Sequence, residues 1–260
     1  MVRLNGRKFL TSGDDVIAFV EEHCRFTNGR WTGAPFVLLS WQKTLLYEMF
    51  EVDPTTRLRR YRRALIGTPR KQGKTEFAGA LALYLAFGDG ESSAEVYCAA
   101  ASEEQADRVF NAAKRMVELS PTLSQAVQTQ VSRLSATEDP YSYIQRLTAS
   151  GRTKHGLHIH GVVLDELHAW GVGEQDELWA ALTTGMAARR QPMQIAITTA
   201  GTDLEGSRCG ELRQSWLYQC RWRLSDQRSR RRSARSARWS SLSPADSFAS
   251  AGWSPLIACT

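Results

Sequence analysis

The sequence of 260 residues has no apolar run of the roughly 18–20 residues that a membrane-crossing helix requires, so no membrane is expected among its partners. Its start, "MVRLNGRKFLTSGDD", lacks the apolar stretch of a secretory leader and turns acidic quickly. The five cysteines, Cys24, Cys98, Cys209, Cys220 and Cys259, are scattered, with no C-x-x-C pair and no histidine at ligand spacing. That pattern argues against a disulfide framework or a zinc site and fits free thiols in a reducing cytoplasm. His155, His158 and His160 have no acid or cysteine at ligand spacing and read as loop and strand-edge residues.

Acidic residues become scarce late in the chain: after Glu211 there are only Asp226 and Asp246. Residues 221–260 set eight arginines against those two acids, and this surplus accounts for the whole net charge of +6. The preceding 220 residues balance to zero, so the basic character says nothing about DNA affinity of the folded part. The tail is rich in Arg, Ser and Ala without amphipathic period. It reads as a disordered basic segment, or as the product of a reading-frame shift near residue 220.

Apolar spacing within "FVLLSWQKTLLYEMF" (36–50) predicts a helix carrying Trp41, Leu45, Leu46, Met49 and Phe50. The basic run "RLRRYRR" (57–63) is expected at a solvated edge, with a DNA contact as the alternative. It leads into a short strand, "ALIG". A long helix, "KTEFAGALALYLAF", follows and is stopped by "GDGESS". "AEVYCAAA" reads as a buried strand, and the segment after it as a helix capped by Ser102 and closed by Pro121. Residues 122–160 are turn-rich and give no assignment. Beyond them come a strand "GVVLD", a helix around "EQDELWAALTTGMAA", a strand "MQIAITT" and a helix around "GSRCGELRQSWLYQC". Alternation of this kind predicts an α/β fold, a doubly wound, mostly parallel sheet with helices on both faces. Three units are expected: an N-terminal helical segment (1–55), an α/β core (56–220) and the basic tail (221–260).

Ligands of such sheets bind beyond the carboxyl ends of the strands. At one such end stands "GTPRKQGKT". The phosphate-loop pattern G-x-x-x-x-G-K-[ST], fitted to Gly73, Lys74 and Thr75, puts Thr68 where the first glycine belongs. The half that touches phosphate survives: Gly73 for close backbone approach, Lys74 for charge, and Thr75 as a hydroxyl ligand for Mg²⁺ at a helix start. Pro69 is expected to impose the turn that the missing glycine would have shaped.

At another strand end, "HGVVLDELHAW" presents Asp165 and Glu166. Adjacent strand residues point to opposite faces, so the two acids are expected to differ in role. Asp165 would orient Mg²⁺ and Glu166 would polarise a water for in-line attack on a γ-phosphate. A third stretch, "MQIAITTAGTD", would end a neighbouring strand at Thr198 and Thr199, placing hydroxyls near that phosphate, with Gly201 lending freedom to the following loop.

In this order and spacing, "PRKQGKT", "GVVLDELHAW" and "ITTAG" resemble the ATPase domain of the large terminase subunit of tailed bacteriophages, over roughly residues 30–215. The resemblance implies a P-loop NTPase of RecA-like type that hydrolyses ATP with Mg²⁺ to translocate double-stranded DNA into a prohead. It implies a nucleotide-binding element of Pro69, Arg70, Lys71, Gln72, Gly73, Lys74 and Thr75, with Arg70 as a trigger near the γ-phosphate. It also implies Asp165 with Glu166 as the metal-orienting and catalytic acids, and Thr198, Thr199, Ala200 and Gly201 as the coupling motif. Gln42 matches the upstream adenine-recognition segment, although an ordinary capping glutamine fits as well. A portal protein, a small terminase subunit, a ring of like subunits and a bacterial host cytoplasm are implied in the same way. Full-length members carry a nuclease built on clustered carboxylates. With only Asp226 and Asp246 after Glu211, the expectation is a chain truncated before that domain and unable to cut DNA. Two other readings stay open: a non-catalytic decayed prophage fragment or basic-tailed DNA adaptor, and a fragment of a DExH-type helicase, whose box "DELH" fits literally.

Overall fold

A computed structural model of the chain describes residues 1–4, 6–69, 71–147, 156–171, 173, 176–199, 209 and 256–259. The N-terminal part comprises β1 (Val2–Leu4), β2 (Arg7–Thr11), α1 (Gly13–His23), α2 (Ser40–Met49) and β3 (Glu51–Val52). The three strands form their own antiparallel sheet in the order β1-β2-β3. Residues 1–55 are therefore not the purely helical segment that the sequence suggests. Nor do they keep a core of their own: Val16, Val20, Leu45, Leu46, Met49 and Phe50 join one buried cluster with Phe77, Leu81 and Leu85 of the following unit.

That unit begins with β4 (Arg63–Gly67) and α3 (Lys74–Phe87). Alanine and leucine dominate α3, which suits a helix buried on all sides, and Phe77 to Ala86 are buried without a break. Gly88 closes it, its N–H donating to Tyr84 O at 2.7 Å. β5 (Glu95–Ala99) and α4 (Glu103–Leu119) follow; Ser102 caps α4, its Oγ accepting the Gln105 N–H at 3.4 Å. Where the sequence gave no assignment lie α5 (Leu123–Ala126), β6 (Val127–Thr129), β7 (Arg133–Ala136) and β8 (Tyr143–Leu147). The chain goes on through β9 (Ile159–Asp165), α6 (Asp176–Gly185), β10 (Met193–Thr198) and a short β11 (Leu256–Cys259). The helix expected around residues 206–220 lies outside the described residues.

The main sheet has eight strands in the order β11-β4-β10-β9-β5-β8-β7-β6. The five from β4 to β8 run parallel; β7 and β6 continue one edge antiparallel, and β11 pairs antiparallel with β4 at the other. β9 and β10 are buried throughout because neighbours flank them on both sides and helices cover both faces. On one face Cys98, Val163, Ile195 and Ile197 pack with α3 and α4. On the other Tyr97, Val162, Leu164 and Ala196 pack with Trp170, Leu182 and Met186. The period-two split between clusters is that of a doubly wound α/β sheet.

Three further local expectations change. The predicted helix over 36–50 starts only at Ser40; before it Phe36 and Leu38 are buried while Val37 and Leu39 are exposed, the alternation of an extended segment. Within "RLRRYRR" the edge reading fails for Arg59, which is buried and donates to both Asp89 oxygens at 2.9 and 2.7 Å. In the tail, composition gives no strand, yet the apolar run at 256–259 pairs with β4.

Candidate active site

The topology inserts β10 between β4 and β9. The carboxyl ends of these three strands therefore converge, although the sequence separates them widely. At the end of β4, Thr68 continues the strand by one residue, its N–H donating to Thr198 O at 3.1 Å. A residue preceding proline favours extended backbone, and Thr68 is not among the residues with positive φ. Position 68 thus makes no demand for glycine, which accounts for the departure from the phosphate-loop pattern. Left-handed backbone occurs further on, at Lys71 (φ 64°) and Gly73 (φ 70°). The positive φ of Gly73 is one that side-chain-bearing residues rarely adopt, so the loop conformation itself favours glycine there. Pro69 is half-buried and Gln72 exposed; Arg70, Ala200 and Gly201 lie outside the described residues.

Gly73 is the N-cap of α3, and the first-turn amides of Lys74, Thr75 and Glu76 have no carbonyl four residues back within the helix. First-turn amides of this kind can be offered to an anion, as at other helix starts. Glu76 would oppose one, but its Oε1 is taken by Thr27 N–H and Oγ1, both at 2.7 Å, and by Asn28 N–H at 3.2 Å. The contact fixes Asn28 at the rim of a cleft of about 550 Å³. Lys71, Gly73, Lys74 and Thr75 form one wall, Gln105 and Arg108 of α4 another, and Glu166, His168 and Thr199 the third.

The third wall is set by backbone. β9 ends at Asp165, and Glu166 takes a left-handed conformation (φ 47°, ψ 49°) that turns the chain into a single helical turn at Leu167–Ala169. For a residue with a Cβ this costs about 1–2 kcal/mol, and such strain is found at functional sites. Trp170, fully buried, locks the turn by donating its indole N–H to Asp165 O at 3.4 Å. Asp165 is 3% exposed, and its Oδ1 accepts the Glu166 N–H at 2.9 Å. Burial pushes its carboxyl up to about 6; the Glu166 charge adds to the rise, while the Glu166 N–H, Lys74 and Arg108 oppose it.

Glu166 Oε2 meets His168 Nδ1 at 3.2 Å and accepts from Thr199 Oγ1 at 3.4 Å. With Glu166 ionised, Nδ1 carries the proton. The same nitrogen lies 3.0 Å from Thr198 Oγ1, which accepts the His168 backbone N–H at 3.1 Å and donates to Thr199 O at 3.0 Å. The threonines expected at the end of β10 are thus joined to the expected catalytic acid through a histidine that the sequence does not single out. Nor does the sequence single out Arg108 and Gln105, one turn apart on α4, whose only signal is a polar face. Gln42 is buried, and its Oε1 accepts the Leu39 N–H at 2.8 Å, the capping role that the sequence leaves open. His160 is buried against Asp89 at 2.6 Å at the opposite end of β9, and His155 lies outside the described residues.

A parallel sheet with an added strand between the phosphate-loop strand and the acid-bearing one, and a Gly-Lys-Thr helix start facing that acid, defines the P-loop NTPase class. Within it the chain belongs to the terminase large subunit family: the profile "Terminase large subunit, ATPase domain" matches residues 40–217. The chain is 33% identical over 192 residues to the terminase large subunit of Enterobacteria phage HK97, covering 73% of this chain and 37% of that protein. It is 43% identical over 70 residues to protein YmfN of Escherichia coli, covering 24% of this chain and 15% of that one. The crystal structure of the HK97 large terminase superposes with a TM-score of 0.65 at 28% identity, over 84% of this chain and 42% of that one. The chain thus spans less than half the length of its HK97 relative.

Proposed function

We propose that this chain is the ATP-hydrolysing motor domain of a viral or prophage DNA-packaging terminase. The observation that carries the reading is the meeting of Lys74 and Thr75, at the start of α3, with Glu166 across one cleft. The α3 amides and Lys74 hold the β- and γ-phosphates. Thr75 Oγ1 and the Asp165 carboxylate are hard oxygen donors suited to Mg²⁺, and burial of an acid with a raised pKa is what a divalent cation would compensate. When bound, the ion supplies charge neutralisation on the transferred phosphoryl group.

Glu166 accepts the proton of the attacking water. Its Oε2 is engaged by His168 and Thr199, which leaves Oε1 for that task. Thr198 and Thr199 carry the loss of the γ-phosphate to residues 200–201, and Arg70 stabilises charge developing on that group. By family, the partners are double-stranded DNA, a portal protein, a small terminase subunit and neighbouring copies in a ring. In the purified chain, Glu166→Gln is expected to bind ATP as wild type does while losing about 100-fold or more of turnover. Wild-type turnover in that variant would remove Glu166 from the chemistry.

A further inference from the structure

The cations that face the cleft among the described residues are Lys71 and Lys74, from the phosphate loop, and Arg108, from α4 across the gap. The loop and its helix start account for the first two. Arg108 has no part in the phosphate loop, the acid pair or the β10 threonines. Its partner is Glu104, at 2.8 Å one turn back on the same helix, and the two side chains are 57% and 82% exposed. An exposed i,i+4 pair of this kind adds little and is released easily. Gln105, on the same turn, also lines the cleft, and its Oε1 is buried without a hydrogen-bond partner among the described residues.

We propose that Arg108 is a binding residue for the γ-phosphate, exchanging Glu104 for phosphoryl oxygens and so distinguishing a nucleoside triphosphate from a diphosphate. Two observations and the chemistry of the side chain support the γ position over the others. The α3 amides with Lys74 serve the β- and γ-phosphates from the loop side of the cleft, which leaves the outermost oxygens for a cation on α4. Arg108 lines the same cleft as Glu166, the acid that must lie next to the attacked phosphorus. A guanidinium, planar and always charged, matches two phosphoryl oxygens at once.

The inference rests on the cleft being the nucleotide site, and the test separates the two. Dissociation constants for ADP and the non-hydrolysable triphosphate AMP-PNP, both with Mg²⁺, are measured by calorimetry on the full chain. Arg108→Ala is expected to weaken AMP-PNP about tenfold or more and ADP by less than about twofold. Arg108→Lys should recover part of the loss, and Glu104→Gln, which frees the guanidinium, should tighten AMP-PNP alone. Equal weakening of both nucleotides by Arg108→Ala, or no change in either, overturns the role. Lys74→Ala serves as the control, expected to lose both nucleotides. Wild-type protein that bound neither would sink the nucleotide site itself and Arg108 with it. Arg108 lies on an exposed helix surface, and circular dichroism of each variant verifies that α4 stays folded.

Discussion

His168 touches Glu166 Oε2, Thr198 Oγ1 and, through its backbone, Thr198 Oγ1 again. A proton on Nδ1 donated to a carboxylate fixes that carboxylate in space and orients its free oxygen, which is the work of a positioning residue rather than of a proton acceptor. His168→Ala is therefore expected to lower kcat by about tenfold or more while leaving KM for ATP unchanged. His168→Asn, whose amide nitrogen can stand in for Nδ1, should recover part of the rate. A matched fall in affinity, or loss of rate equally severe in both variants, would point to a merely structural side chain. Asp165 permits a second prediction at this scale. Its folded-state pKa, near 6, lies above the ordinary 3.8, so the folded chain binds more protons than the unfolded chain between those values. Stability of metal-free protein should consequently fall as pH rises from about 4 to 6 and stay lower above. Asp165→Asn removes that loss and is expected to stabilise the chain in EDTA by about 1–3 kcal/mol at pH 8, with no gain at pH 4. Urea titrations at the two pH values would refute this if the gain were the same at both.

Among elements, α3 and α4 carry both the phosphate-binding end and the arginine opposite it, so their separation sets the width of the cleft. That separation depends on Gly79: a Cβ there would stand 3.0 Å from Ala113 N and 3.3 Å from Ala112 Cβ on α4. Backbone cannot yield as a flexible side chain would. Gly79→Ala, a favourable change for helix propensity, is expected here to destabilise by about 1–3 kcal/mol and to weaken nucleotide binding. A variant more stable than wild type in chemical denaturation would show that the helices are not in close contact. The elements that place this site were legible in the sequence because each carries a strong local signal. β4, β5, β9 and β10 are short apolar runs, α3 is rich in alanine and leucine, and α4 has a capping serine with Pro121 after its end. The stretch from α5 to β8 was not legible, since its strands are three to five residues long and their pairing depends on a sheet edge elsewhere in the chain. Phe36 to Leu39 were misread as helix because four apolar residues in a row carry no period by themselves. His168 was given no role although it closes the "DELH" stretch two residues after Glu166, whereas Arg108 has no motif and reaches the cleft only through the order of strands.

For the molecule as a whole, the parallel strands have two unlike ends. The carboxyl ends hold the cleft, with strained backbone at Glu166 and a buried acid, and both features cost stability. At the amino ends the buried Arg59 and His160 meet on the half-buried Asp89, which accepts from Arg59 Nη1 at 2.7 Å and meets His160 Nε2 at 2.6 Å. Arg59 also donates to Gln191 O and so ties the approaches to β4 and β10 together beneath the sheet. The buried guanidinium is held in place by a single carboxylate, and Arg59 Nε and His160 Nδ1 have no hydrogen-bond partner among the described residues. Removal of Asp89 would leave that charge buried and uncompensated, a change that typically costs about 3–5 kcal/mol. Asp89→Ala should accordingly move the denaturation midpoint far below wild type, and Asp89→Asn, which keeps an acceptor, should move it less. Because the cleft lies at the other end of the strands, nucleotide affinity measured well below either midpoint is expected to be the same in all three proteins. An affinity that fell in step with stability would show the two ends to be one cooperative unit, and an unchanged midpoint in Asp89→Ala would mean that Arg59 finds its compensation elsewhere.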